Sequence, residues 1–150
     1  MHRPRSAALL AVALLAFGCS GPATVAEPVD NTVEVCAQWT ASTKPFISRG
    51  ADAAPETKAY QQAMADAYAG KQMPTEKALA IQRAYWSAQE KAPRALAGTA
   101  TNPKLRAALS AYADELAGRA SDVIPEFVGS TSSALEALIA ICTPARAVSG

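Results

Sequence analysis

Tyr60, Tyr68, Tyr85, Trp86 and Tyr112 have the most chemistry to offer in this chain, because each joins a flat apolar ring to a polar tip. If Tyr85, Trp86 and Tyr112 line one cleft between helices, they can grip a small hydrophobic or aromatic ligand, with the phenols fixing its orientation. Tyrosinate is also a possible axial ligand to haem iron. At helical spacing the same rings equally suit core packing, each hydroxyl reaching towards water.

The carboxylates are the second set. Asp114 and Glu115 are adjacent and so diverge on a helix, while Asp122 and Glu126 are one turn apart across Pro125. Two carboxylates brought together can exchange protons or hold calcium, but the chain has no Asp-x-Asp-x-Asp loop with its glycine. Glu90, Lys91 and Arg94 read as a solvated helix face. Ser130 to Ser133 after Gly129 suit helix capping, and there is no Gly-x-Ser-x-Gly, Ser-x-x-Lys or phosphate-cradling glycine loop. No metal site, cofactor or enzyme is expected from these residues.

The first eighteen of the 150 residues bear on all of this. Arg3 and Arg5 precede an unbroken apolar run from Ala7 to Phe17, then small residues, which is the pattern of a secretory signal. The run is too short to span a bilayer, which needs roughly 20 apolar residues. Removing the leader takes away His2, the only histidine, and with it any Ser-His-Asp or Cys-His mechanism and any imidazole metal ligand. Loss of Arg3 and Arg5 from the fourteen basic residues leaves twelve against thirteen acids. With no basic tract either, nucleic acid is not an expected partner.

Gly18 followed by Cys19 resembles the lipobox of bacterial lipoproteins, although Ala16 and Phe17 stand where that motif usually has Leu and Ala or Ser. The resemblance implies that residues 1–18 are removed and that Cys19 is acylated and becomes the membrane anchor. The alternative is plain secretion, with cleavage after Thr24-Val25-Ala26. With Cys19 acylated, Cys36 and Cys142 remain as an even pair in an oxidising compartment and are expected to form a disulfide.

The elements that must position these residues read as helices: alanine is abundant and no stretch sustains a period of two. After a tether at 19–30, a helix starts at Asn31 with Glu34 as capping-box partner. It faces inward through Val35, Trp39, Ser42 and Phe46, with Cys36 at the edge, and ends at Pro45 and Gly50. A second runs from Pro55 to Gly70 with Tyr60, Met64 and Ala67 inward. A third begins at Pro74 and carries Ala78, Ile81, Tyr85, Ala88 and Ala92 on one stripe, widened by Leu79 and Trp86; Pro93 kinks or ends it. Asn102 caps a fourth, with Pro103 at its first position and Leu105, Leu109, Tyr112, Leu116 and Val123 inward. Ser133 and Glu136 form a capping box on the last, which buries Leu135, Leu138, Ile139 and Cys142 and stops at Pro144. The domain so defined covers residues 31–143, roughly 110 residues and one modest core, followed by a tail at 144–150. Short connections favour antiparallel neighbours, so the expected fold is all-α: a compact up-and-down bundle of four or five helices closed by one disulfide.

The segment from Trp86 to Leu116, with Ala97 to Leu109 at its centre, resembles small alanine-rich secreted proteins of actinobacteria, many of which keep a cysteine near each end of the mature domain. This implies a helical, exported protein and transfers no active site. The sequence therefore leads to a non-enzymatic lipoprotein on the outer face of a cell membrane that binds another envelope protein. The alternative is a carrier or sensor of a small hydrophobic or aromatic ligand held between helices.

Overall fold

The computed structural model describes residues 29–123 and 132–147. Expectations about the leader, Cys19, most of the tether, Glu126 and residues 148–150 lie outside the described residues. The described chain is all helical: α1 (Thr32–Ile47), a short 3-10 turn (Gly50–Asp52), α2 (Pro55–Tyr68), α3 (Thr75–Thr99), α4 (Pro103–Ser121) and α5 (Ser133–Ala147).

α3 is the spine. It packs along α4 and also touches α1 and α2, while α5 lies on α4 and α1. Three residues, Ala100 to Asn102, join α3 to α4, and so short a link folds the two helices back on each other. Asn102 makes the turn as its sequence predicts: its Oδ1 accepts from the backbone N–H of Lys104 (3.0 Å) and Leu105 (3.3 Å). The main core joins Val35, Cys36 and Trp39 of α1 to Leu96, Leu105, Leu109, Tyr112 and Leu116 of α3 and α4, and to Leu138 and Cys142 of α5. A smaller buried layer, Thr57, Tyr60, Ala63 and Ala78, lies where α2 meets the first half of α3. Cys36 and Cys142 are bonded, with Cα atoms 5.3 Å apart across 106 residues of sequence.

Several helix ends differ from the sequence reading. Asn31 occupies the cap position of α1, but its side chain makes no cap hydrogen bond. Its Oδ1 accepts from Thr101 N (2.9 Å) and its Nδ2 donates to Thr99 O (2.9 Å), latching α1 to the α3–α4 corner. Asp30 instead accepts from Thr32 N, and Glu34 accepts from Gln38 rather than closing a capping box. On α5 the cap is Ser132, one residue before the expected Ser133: its Oγ accepts from Leu135 N at 2.9 Å.

Pro45, Pro93 and Pro144 all lie inside helices that were expected to end or bend at them. A proline removes one rung, and packing on neighbouring helices outweighs that loss. Pro93 is fully buried and α3 is continuous through it; α5 likewise continues past Pro144 to Ala147.

Some inward positions also move. On α2, Thr57 and Ala63 are buried with Tyr60, Met64 is half-buried and Ala67 is exposed, because little besides α3 covers this helix. Val123 lies beyond the end of α4 and is exposed, and Ile139 sits on the outer side of α5. Gly70 terminates α2 as expected. At φ +71° it lets Lys71 N reach Asp66 O (2.9 Å) and Gly70 N reach Ala67 O (3.0 Å).

Candidate functional site

Tyr85 and Trp86 are successive residues of α3, and their rings stay in contact with each other and share Tyr60 as a neighbour. From α2, Tyr60 stacks on Tyr85 with centroids 4.1 Å apart and planes 8° from parallel, and it meets Trp86 edge-on at 5.7 Å. Phe46 approaches Tyr85 edge-on at 6.3 Å, and Tyr85 and Trp86 lie 4.7 Å apart. This cluster ties the smaller layer to the main core.

Beyond it a cleft of about 210 Å³ opens where α3, α4 and α5 meet, lined by Tyr85, Trp86 and Gln89, by Tyr112, Glu115, Leu116 and Arg119, and by Ser132 and Leu135, with Ile47 at its α1 side. A polar chain braces one wall. The Arg119 guanidinium lies 5.0 Å from the Trp86 ring centre and is bonded to Glu115 at 2.7 Å. The other carboxylate oxygen of Glu115 accepts from Ser132 Oγ, which caps α5. Gln82, buried on α3, donates to Arg119 O at 3.2 Å and so fixes the last turn of α4 against α3. Burial pushes the Tyr85 phenol above its ordinary pKa, against an opposing effect of the nearby Gln89 side chain. Burial raises Tyr112 as well, reinforced by the neighbouring Tyr85 and Glu115.

The three rings singled out in the sequence, Tyr85, Trp86 and Tyr112, thus share one cleft, and Tyr60 buttresses it from α2. Tyr68 lies apart and is exposed. The acids do not converge. Asp114 meets Arg94 at 3.0 Å on the surface, with Glu90 on the same guanidinium, and Asp122 is exposed. Among the described residues no group of three His, Cys, Asp or Glu side chains could hold a metal ion.

Sequence reasoning missed Gln89 and Arg119, read Ser132 only as one of a run of capping residues, and assigned Glu115 to the solvated face. The one signal for the bracing pair is the Glu115–Arg119 spacing of four with the acid first, a common helix pair. The arrangement provides ring faces, a guanidinium and hydrogen-bonding tips. Ser132 Oγ donates to the Glu115 carboxylate and accepts from the Leu135 N–H, which it caps.

A second feature lies on the outside of α1. Val33, Ala37, Ala41 and Ile47, edged by Glu34 and Lys44, border a shallow groove of about 530 Å³, with Val33 46 % and Ile47 77 % exposed.

Fold and site together define a disulfide-bonded, all-α bundle with an aromatic cleft. No protein family, curated protein or solved structure matches the chain.

Proposed function

We propose that this protein is an exported lipoprotein, anchored through Cys19 to the outer face of a cell membrane, that works as a non-enzymatic binding module. The secretory leader and the Gly18-Cys19 junction support the address. The Cys36–Cys142 bond suits an oxidising compartment. The cleft between α3, α4 and α5 carries the binding reading: three rings and a braced guanidinium surround a space bordered by apolar side chains. Small hydrophobic or aromatic molecules are the occupants this lining favours.

A second reading, engagement of another envelope protein, is favoured by the outer face of α1, where an apolar stripe is left facing water. Native mass spectrometry of the protein extracted gently from its host's membranes separates the two. A companion of small mass, lost on denaturation, supports the carrier reading, and one of protein mass supports the partner reading. A bare monomer with no companion in repeated preparations counts against both. The denatured mass tests the anchor, since an acylated Cys19 adds the mass of its lipid.

A further inference from the structure

We propose that the outer face of α1 binds a second copy of this chain, the two α1 helices lying antiparallel about a two-fold axis level with residues 39 and 40. This rests on the partner reading of that face and names the partner.

The face is apolar, and its polar groups are already bonded. Val33, Ala37, Ala41 and Ile47 are exposed along it. Thr40 and Thr43, also in the groove, donate their hydroxyls to Cys36 O (2.8 Å) and Thr40 O (3.0 Å) of their own helix. Neither hydroxyl therefore needs an acceptor from a partner. Apolar surface of this kind, rimmed by charge, is where proteins meet.

The order of residues along the groove selects the partner. Glu34 and Lys44 are centred on position 39, as are Ala37 and Ala41, and Val33 and Ile47 are centred on position 40. A second α1 turned end over end about this centre sets Glu34 of each copy against Lys44 of the other. It also sets each large apolar end against the opposite one. A closed pair with a two-fold axis requires this self-complementarity, in which residue i meets j and j meets i. A parallel pair would instead bring like charges together at both ends. Both charges are available: among the described residues Lys44 makes no ion pair, and Glu34 accepts only from Gln38 of its own helix. The alanines between them let the two helices approach closely.

One face of a 16-residue helix is small beside the roughly 1,200–2,000 Å² of stable interfaces, so the pair is weak in solution, with Kd on the order of 0.1 mM. Confinement of both copies to one membrane by the proposed anchor favours it further.

The test uses the chain from residue 19 onward with its disulfide intact, and with Cys19→Ser so that no free thiol links two copies. Sedimentation velocity from micromolar to millimolar concentration is expected to show a reversible monomer–dimer equilibrium. Glu34→Lys and Lys44→Glu are each expected to weaken it by roughly tenfold or more, because each sets like charges together twice. Mixed in equal amounts, the two variants are expected to pair at least as tightly as the parent, since every facing pair is again opposite in sign. Glu136→Lys mixed with Lys91→Glu carries the same net charges at exposed positions outside the groove, and is expected to gain nothing on mixing. Ala41→Arg, which props the helices apart, is expected to leave a monomer. Circular dichroism confirms that each variant is folded.

A chain that stays monomeric to millimolar concentration overturns the inference and leaves the groove to a different protein or to the chain's own residues 19–28. A dimer indifferent to Glu34→Lys and Lys44→Glu overturns it too, as does a mixture of the two that pairs no better than its components. If native mass spectrometry of host membranes still finds a companion with a different protein's mass in those cases, the partner reading stands and only its identification with a second copy falls.

Discussion

Asn31 and Asn102 show what one residue type can and cannot announce. Each precedes a helix, yet only Asn102 places its side chain over the first turn; Asn31 spends its amide on the α3–α4 corner. Local pattern gives the capable residue, and tertiary contact decides its use. Asn102→Ala is expected to cost about 1 kcal/mol in urea unfolding, the usual value of an N-cap. The aromatic residues were legible for the opposite reason. Rings large enough to dominate burial keep helical spacing, so Tyr85 and Tyr112 point inward wherever their helices pack. Their phenols make a second prediction. Both pKa values are raised in the folded state, so below pH 10 the two groups are protonated whether the chain is folded or not. Above pH 10 the unfolded chain releases these protons first, and stability is expected to fall until the folded phenols ionise as well. Tyrosinate absorbance and circular dichroism in one alkaline titration test this; ionisation of Tyr85 and Tyr112 near pH 10 with the fold intact would refute it.

At the scale of elements, existence and order were readable and ends were not. Helical periodicity runs over many residues and survives single exceptions, whereas a boundary depends on one or two contacts. The three prolines make the point, because burial of Pro93 and docking of α5 keep those helices going where a backbone rule alone would end them. Gln89 and Arg119 were hidden because polar residues on a helix read as its wet side until a neighbour is placed over them. Glu115 is the hinge of that hidden wall, since it holds Arg119 on α4 and Ser132 at the start of α5. Glu115→Ala removes both bonds. With the pair partly exposed, the expected cost is about 1 kcal/mol. The effect should also be local. Hydrogen exchange at the Leu135 amide, whose acceptor Ser132 Oγ loses its anchor, is expected to quicken while Leu109 on α4 stays protected. Uniform quickening along α4 and α5 would mean that Glu115 supports the whole bundle and not this junction.

For the whole molecule, the cysteines reveal most and the division of the core reveals least. Two cysteines near the ends of a helical domain constrain everything between them, and their pairing is the expectation once Cys19 is read as a lipid anchor and the chain as exported. The separate layer under α2 leaves no such mark, because its small residues look like any alanine-rich helix face. These two features together set the stability. A chain with roughly 110 residues in its folded part has a modest core, and domains of this kind are stable by only about 5–15 kcal/mol. Closing 106 residues of sequence is worth about 4–5 kcal/mol in the chain-entropy account, a large share of that margin. The double variant Cys36→Ser, Cys142→Ser is therefore expected to melt on the order of 20 °C lower than the oxidised protein. Reductant should move the oxidised protein towards the variant and leave the variant itself unchanged. α2, which has little besides α3 to pack against, should then lose exchange protection before α4 does. If the variant melts within a few degrees of the oxidised protein, the helices hold themselves together and the bond is dispensable. If it melts as expected, the fold depends on a compartment that can oxidise the pair, which the proposed export would supply.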